Sequence, residues 1–254
     1  MCLVVLNWEP GADVPLVLVA NRDEFRARPT ESMHWWNDQS IPMLAGRDLQ
    51  AGGTWFAVDR AANFALITNI RPGYVGKAAG LSRGALPMRF IQTGADIRAF
   101  HRALLPDIGL YGGFNLLLGN REQLFWFSSD HPAGSWLEAG VHALSNDALD
   151  TPWPKVQLAR QQMYDSVQLL KAGEINTDVL SSTARYPEAE LPSTGVPAEW
   201  ESLLSAQTIV GEEYGTRART WLRLYQNNRI SVTEAQYSPE GERNSLQQFG
   251  WVES

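Results

Sequence analysis

The first thirty residues hold the side chains with the clearest capacity for chemistry. Cys2 is the single cysteine of the chain. Aminopeptidases remove an initiator methionine that precedes a small residue, so we expect Met1 to be lost and Cys2 to carry both a thiol and a free α-amine. A free α-amine has a pKa of about 7.7–8.0 and a free thiol one of about 8.5, so one residue would supply a nucleophile and its general base. The alternative is that Cys2 is a small buried residue at the start of a strand.

Composition restricts the class of protein. The 254 residues are 44% hydrophobic and 19% charged, which is typical of a soluble globular protein with a sizeable core. A net charge of −7 argues against a nucleic-acid surface. One cysteine excludes an intrachain disulfide and a cysteine-based zinc site, and with four histidines a metal site would depend on carboxylates. Ten tryptophans indicate either an aromatic pocket or large core residues.

The sequence shows no targeting or membrane segment. The apolar run at residues 3–6 is too short for a signal peptide, and no basic residue precedes it. No apolar run approaches the ~18 residues that a membrane span requires. We therefore expect a cytoplasmic protein without a membrane span.

Two apolar runs at the start of the chain predict an antiparallel hairpin. The strands are residues 2–8 and 15–20, with a turn at residues 11–13. The end of the second strand would then lie beside Cys2. This places the Asp23 carboxylate within reach of the α-ammonium, in a site that we expect to be partly solvated. The alternative for Asp23 is a turn or helix-capping carboxylate.

The rest of the chain predicts strands, then helices, then strands, which favours an α+β fold in one domain, residues 1–254. Residues 26–50 are rich in polar residues, proline and tryptophan, and predict a long loop over the site, with His34, Trp35 and Trp36 at its mouth. Residues 185–197 hold three prolines and predict a second loop. Strands are predicted at residues 55–59, 63–70, 113–118, 123–127, 141–145, 217–225 and 229–236, and helices at 82–90, 96–105 and 153–171.

Several short motifs together resemble the Transport and Golgi organisation family, which is also named for an Asn-Arg-Asp-Glu motif. They follow the family order across almost the whole chain, and only their combination is specific. The motifs are Cys2, Asn21-Arg22-Asp23-Glu24, Ala51-Gly52-Gly53-Thr54-Trp55, Thr68-Asn69 before Arg71, Ser82-Arg83-Gly84, Phe114-Asn115, Leu144-Ser145-Asn146 and Tyr214-Gly215-Thr216-Arg217.

The same segments more distantly resemble the choloylglycine hydrolases and penicillin V acylases, which are N-terminal-nucleophile hydrolases. This resemblance implies a four-layer αββα fold. The chain departs from the hydrolase pattern at Ala20, where those enzymes carry an arginine. Arg22 lies two residues further on the same face of the strand and would return the positive charge.

The resemblance also implies catalytic roles. Cys2 would attack a carbonyl carbon, Asp23 would orient the α-amine, and Asn69 and Asn146 would donate hydrogen bonds to the oxyanion. Arg217 would lower the thiol pKa or hold a carboxylate, and Arg219 competes with it for that role. The predicted substrate-binding residues are Asn21, Arg22, Trp35, Trp36, Trp55, Arg71 and Tyr74.

Three functions remain open on the sequence. The first is an amidohydrolase with an N-terminal cysteine that acts on a non-peptide amide or a thioester of a small molecule, and needs no cofactor. The second is a non-catalytic protein that binds haem, an acyl lipid or acyl-CoA. In the third, Cys2 belongs to the core and the motifs are turns. A homo-oligomer is compatible with each.

Overall fold

The computed structural model describes residues 2–71, 80–169 and 178–253. Within these ranges the fold is α+β, with two antiparallel sheets and four α-helices. The strands are β1 Cys2–Trp8, β2 Leu16–Phe25, β3 Thr30–Trp36, β4 Met43–Asp48, β5 Phe56–Asp59, β6 Phe64–Asn69, β7 Phe114–Gly119, β8 Leu124–Ser128, β9 Ser135–Trp136, β10 Gly140–Leu144, β11 Tyr214–Leu224, β12 Arg229–Tyr237 and β13 Arg243–Val252. The helices are α1 Ala85–Gln92, α2 Ile97–Leu104, α3 Pro154–Leu169 and α4 Ala198–Leu203.

The first sheet is organised around the predicted hairpin. Its strand order is β10-β1-β2-β11-β12-β13. In the β1–β2 ladder Cys2 lies opposite Arg22 and Trp8 opposite Leu16, so the hairpin prediction is confirmed. Strand β2 continues past the start of β1 and pairs there with β11, with Asp23 opposite Thr216. The start of the chain therefore lies beside residues 22 and 23.

Strands β1 and β2 of the first sheet are buried on both faces, which explains why residues 3–6 and 16–20 are continuous apolar runs. Val4 and Leu6 of β1 belong to the main core between the sheets. Leu3 and Val5, on the opposite face, join a second core that includes Trp153 and other residues of the α3 region. Helix α3 packs against β1 and β10.

The second sheet has the strand order β3-β4-β5-β6-β7-β8-β9. The prediction of a long loop over the site at residues 26–50 is wrong, because these residues form the β3–β4 hairpin of this sheet. Strand β3 was not predicted because four of its seven residues are polar and only Met33 and Trp36 are buried, and because its register shifts between Glu31 and His34. Helix α1 packs against β5 and β6 of this sheet.

The three predicted helices are confirmed with small shifts at their ends, and the last two residues predicted for the third helix, 170 and 171, lie outside the described residues. Helix α1 begins at Ala85 rather than residue 82, because Ser82 accepts a turn hydrogen bond from the Ala85 N–H. Asp96 caps α2 by accepting a hydrogen bond from the Ala99 N–H at 2.9 Å. None of the helices in the described ranges is long and apolar enough to cross a membrane.

Candidate functional site

A polar cleft of ≈ 660 Å³ opens where β2 runs past the start of β1. Its walls come from the end of β2, the turn after β4, the end of β6 and the segment before α1. The described residues that line it are Arg22, Asp23, Glu24, Phe25, Arg28, Asp48, Ala51, Thr54, Trp55, Ile67, Thr68, Asn69, Gly80, Leu81, Ser82, Arg83, Gly84 and Gly112.

Asp23 is a buried carboxylate at the inner end of this cleft, with only 2% of the residue exposed. Thr216 donates a hydrogen bond to its Oδ1 at 2.6 Å and accepts one from the Ile209 N–H at 2.8 Å. Burial raises the pKa of the Asp23 carboxyl, against the opposing effects of the positive amino terminus, the Thr216 hydroxyl, Lys155 and Arg71. Burial of the Asp23 carboxyl thus opposes its ionisation, and the positive charges around it favour that ionisation.

Arg22 forms a cationic wall of the cleft directly across the ladder from Cys2. Its guanidinium lies 4.2 Å from the centre of the Trp55 ring, and its Nη2 is 3.9 Å from Glu24. Ala20, two residues earlier on the same face, is buried in the core between the sheets. Arg22 therefore presents its guanidinium to the cleft two residues beyond Ala20 on the same strand.

Asn69 and Asn146 come together although 77 residues separate them. The Asn146 amide donates to the Asn69 Oδ1 at 3.0 Å and to the Asn69 carbonyl at 2.9 Å. Thr68 donates to the Ser145 carbonyl at 2.6 Å, which ties the end of β6 to the end of β10 and so joins the two sheets. Asn69 lines the cleft, whereas Asn146 is fully buried behind it.

Two motifs of the sequence form one wall of the cleft because they touch. The Thr54 N–H donates to the Gly84 carbonyl at 2.8 Å. A Cβ built on Gly53 would lie 2.4 Å from that carbonyl, so only glycine allows the approach. The contact holds residues 52–54 against residues 82–84 on the cleft wall.

Asn21 and Arg219 form a buried cluster on the other face of the first sheet. Arg219 donates from Nε to the Asn21 Oδ1 at 2.7 Å and from Nη2 to the Leu180 carbonyl at 2.8 Å. Asn21 donates to the Leu180 and Gln207 carbonyls at 3.1 and 2.8 Å. Neither Asn21 nor Arg219 lines the cleft, so the position of Asn21 does not support the substrate contact predicted for it.

Arg217 occupies a different position from Arg219. The strand register shifts between Thr216 and Ala218, and Arg217 lies in this irregularity. Its Nη1 donates to the Phe25 carbonyl at 3.1 Å and to the Arg28 carbonyl. Arg217 therefore fixes the turn that leaves β2, and it does not line the cleft.

The aromatic residues of the predicted loop lie away from the cleft. Trp36 is buried in the core and donates from Nε1 to the Ala45 carbonyl at 3.1 Å. The Trp35 ring is 5.1 Å from the Trp251 ring. His34 bonds to the Ser32 carbonyl. The prediction that these side chains line the mouth of the site is wrong, because they belong to the β3–β4 hairpin.

The remaining predicted residues divide between the cleft, a side chamber and the undescribed part of the chain. Trp55 lines the cleft. Arg71 lines an adjoining chamber and forms a buried ion pair with Glu201, with an N–O distance of 2.8 Å. Tyr74 lies outside the described residues.

Sequence reasoning missed several polar residues of the site. Arg28 pairs with Asp48 at 2.7 Å on the cleft wall, and Thr216 holds Asp23. Thr216 belongs to the motif Tyr214-Gly215-Thr216-Arg217, but the family resemblance assigned a catalytic role to its neighbour Arg217 instead. The only sequence feature that relates Arg28 to Asp48 is their opposite charge, and their separation of twenty residues hides the pairing.

Fold and site together define an α+β protein with a polar cleft at the junction of two antiparallel sheets. The family model for Transport and Golgi organisation 2 matches residues 1–239. The chain belongs to this family.

Relatives of similar length share about a quarter of the residues. The chain is 27% identical over 259 residues to the human Transport and Golgi organization protein 2 homolog, with 92% of each chain covered. It is 26% identical over 257 residues to the mouse homolog, again with 92% of each covered. It is 27% identical over 279 residues to the Drosophila melanogaster protein, with 96% of each covered.

Among solved structures, Anbu from Hyphomicrobium sp. strain MC1 aligns with 98% of this chain and 87% of its own. The TM-score is 0.40 and the sequence identity is 10%.

Proposed function

We propose that this protein is an amidohydrolase with an N-terminal cysteine nucleophile, acting on a non-peptide amide or a thioester of a small molecule. The observation that carries the proposal is the placement of the cleft. It opens where the backbone of Cys2 pairs with Arg22, and Arg22, Asp23 and Asn69 all line it. A carboxylate, a cation and a side-chain amide thus surround the position from which a processed chain would begin.

In the proposed reaction the α-amine of processed Cys2 accepts the thiol proton. The sulfur then bonds to the substrate carbonyl carbon, and the carbonyl electron pair moves to oxygen. Asn69 would donate a hydrogen bond to this oxyanion from Nδ2, since its Oδ1 accepts from Asn146. Collapse breaks the C–N bond, and the ammonium returns its proton to the leaving amine. Water then hydrolyses the acyl thioester and restores the thiol.

Asp23 would act through the α-ammonium rather than on the substrate. Its carboxylate is held by Thr216 at 2.6 Å, and Asp23 directly follows Arg22, the residue opposite Cys2 in the β1–β2 ladder. An anion there would hold the ammonium in one orientation during the proton transfers. This assigns Asp23 a positioning role, with Asn146 positioning Asn69 in the same way.

The proposal includes the four-layer αββα arrangement, a single domain and a cytoplasmic location. Packing of α3 on the first sheet and of α1 on the second supports the layer order. The family resemblance of the motifs supports the hydrolase type, and fractionation of cells that express a tagged protein would test the location.

Intact-mass analysis of purified protein tests the proposal first. We expect a mass that lacks Met1, stoichiometric alkylation of Cys2 by iodoacetamide in the native state, and an acyl adduct on Cys2 during turnover of an amide library. Cys2→Ala should abolish turnover and adduct. Retention of Met1, or native protein whose Cys2 reacts only after unfolding, would overturn the hydrolase assignment.

A second candidate is binding of haem or an acyl lipid without turnover. The cleft volume favours it, because ≈ 660 Å³ lies within the roughly 300–1,000 Å³ of small-molecule sites. None of the described residues that line the cleft is a histidine. Haem titration of the parent and of His34→Ala should therefore give equal Soret spectra, and a Soret change in His34→Ala would identify an axial ligand outside the cleft.

A further inference from the structure

A side chamber of ≈ 210 Å³ adjoins the cleft. Glu24, Phe25, Asn69 and Arg83 line both spaces, so the two are continuous. The rest of its wall comes from the end of β6, the start of β11, helix α4 and the segment before it. These wall residues are Arg71, Val196, Pro197, Trp200, Leu204 and Tyr214.

Three aromatic rings form the apolar wall of this side chamber. The Phe25 and Tyr214 rings are 5.1 Å apart in an edge-to-face arrangement, and the Trp200 and Tyr214 rings are 5.5 Å apart. Phe25 remains 38% exposed although it contacts both other rings. Aromatic rings in this geometry offer faces and edges to a further ring.

The chamber wall is held in place by a buried ion pair. Arg71, just after β6, pairs with Glu201 of α4 at 2.8 Å, and only 4% and 7% of their side chains are exposed. Glu201 also accepts a hydrogen bond from the Thr194 N–H at 2.8 Å. These contacts fix α4, and with it Trp200, against the end of β6. The chamber is therefore formed before a ligand arrives.

We propose that the side chamber is the subsite for a compact apolar acyl group, about the size of one aromatic ring. This inference rests on the proposed hydrolase function. Asn69 borders both spaces, so a carbonyl beside Asn69 would direct its acyl group into the aromatic chamber and its amine into the polar cleft. The chamber is smaller than the roughly 300–1,000 Å³ that drug-sized ligands occupy, so it excludes a long acyl chain or a porphyrin.

Carboxylic acids that imitate the released acyl product test the subsite without turnover. In Cys2→Ala protein we expect phenylacetate to bind by calorimetry at least about tenfold more tightly than acetate, from burial of the ring. Decanoate should bind no more tightly than phenylacetate. Absence of phenylacetate binding, or equal binding of acetate and phenylacetate, would overturn the inference.

Two chamber variants and one control locate the binding. Val196→Phe adds a ring to the chamber wall and should abolish phenylacetate binding, and Trp200→Ala should weaken it at least about tenfold. Trp251→Ala removes a tryptophan that packs on Trp35, far from the chamber, and should leave the affinity unchanged. If Trp200→Ala does not fold, Val196→Phe still decides the question, and unchanged affinity in Val196→Phe rejects the subsite.

The same variants separate this inference from the hydrolase assignment. Binding that depends on Val196 and Trp200, in a protein that never acylates Cys2, would retain the subsite and reject the hydrolase. Turnover of one-ring amides that is unaffected by Val196→Phe would retain the hydrolase and reject the subsite.

Discussion

The hydroxyl of Thr216 donates a 2.6 Å hydrogen bond to the Asp23 carboxylate and so joins β11 to β2 next to the start of β1. Both residues are at least 98% buried. A buried carboxylate is costly unless donors satisfy it. Thr216 is therefore the described side chain that most directly determines where the Asp23 charge lies.

Thr216→Val should disturb Asp23 more than it disturbs the rest of the fold. Loss of a hydrogen bond to a charged group costs about 1.5–3 kcal/mol of unfolding free energy, and it would raise the Asp23 pKa further. Cys2 alkylation should become slower, and its pH profile should move. Thr216→Ser should restore both. Thr220→Val, at a buried threonine of the same strand, is the control, and an equal change of alkylation there would contradict the role of Thr216.

Asp23→Asn should impair function while leaving the protein at least as stable near neutral pH. The sequence predicted a partly solvated site, but Asp23 is buried. Burial raises the folded-state pKa of Asp23. Ionisation therefore destabilises the folded state as the pH rises from the unfolded value of about 3.9 through the folded value.

Denaturant unfolding of parent and Asp23→Asn across pH measures this effect. The variant lacks the titration, so its stability relative to the parent should improve as the pH rises through that window. Its Cys2 alkylation should be slower by as much as ~10²-fold, because the α-amine loses its anchor. A large loss of stability at pH 7 with normal alkylation would make Asp23 a structural residue.

His142 and Asp150 should make stability depend on pH in a separate place. The His142 Nδ1 lies 2.7 Å from the Asp150 Oδ2. This hydrogen bond raises the pKa of His142, with burial and Arg160 opposing it. The stabilisation is therefore complete below the unfolded pKa of about 6.5 and is lost as the pH rises through the raised folded pKa.

His142→Gln removes this pH-dependent contribution. We expect the variant to lose about 1.5 kcal/mol of unfolding free energy below pH 6.5, the scale of a hydrogen bond to a charged group. The loss should shrink at higher pH. Denaturant titrations at several pH values measure it, with His131→Gln at an exposed histidine as the control. A loss of unfolding free energy that does not vary with pH would mean that His142 stabilises the fold by packing and not by its charge.

The parts of the fold that the sequence predicted depend on local patterns. The β1–β2 hairpin follows from two apolar runs, and the β11–β12 hairpin follows from alternating residue types in β11 and the turn at Asn227-Asn228. Asn228 adopts the positive φ of 64° that asparagine tolerates at a turn. Strand β13 was missed because eight of its ten residues are exposed and five of the ten are polar. At a sheet edge, backbone pairing with β12 is sufficient to define a strand.

Residues of the site could be predicted from the sequence only where the local hairpin geometry or the family motifs pointed to them. The hairpin alone places Asp23 near Cys2. The Asn69–Asn146 contact joins two sheets across 77 residues, and no local pattern encodes such a contact. The different positions of the Arg217 and Arg219 side chains depend on a register shift within β11. Alternation of residue types in the sequence does not reveal such a shift.

Arg71→Met should destabilise the protein because it leaves the buried Glu201 carboxylate without its guanidinium. Breaking a buried pair from one side costs about 3–5 kcal/mol. Arg71→Met combined with Glu201→Gln should recover much of this loss, since the amide is neutral and can still accept from Thr194. Thermal and denaturant unfolding of the two single variants and the double variant measure the coupling. Additive losses would show that the pair is not coupled.

Arg22→Gln should slow the reaction of Cys2 and move its pH profile upward. Arg22 lies opposite Cys2 in the β1–β2 ladder, and its guanidinium stacks 4.2 Å from the Trp55 ring. A cation beside a thiol favours the thiolate, which is the form that reacts. The midpoint of alkylation against pH should rise, with a rate at pH 7 lower by about tenfold for a change of one pKa unit. Arg22→Lys should retain part of the effect, because it keeps the charge but loses the planar stack.

The control for Arg22 is Arg60→Gln, which removes an equivalent stack 4.3 Å above Trp35 and outside the cleft. Both glutamine variants should lose a similar, small amount of unfolding free energy, of the order of 0.5–1 kcal/mol for a cation–π contact. Only Arg22→Gln should alter alkylation. Equal alkylation profiles in the two variants would mean that Arg22 is a packing residue on Trp55, and thiolate stabilisation would then have to come from another cation.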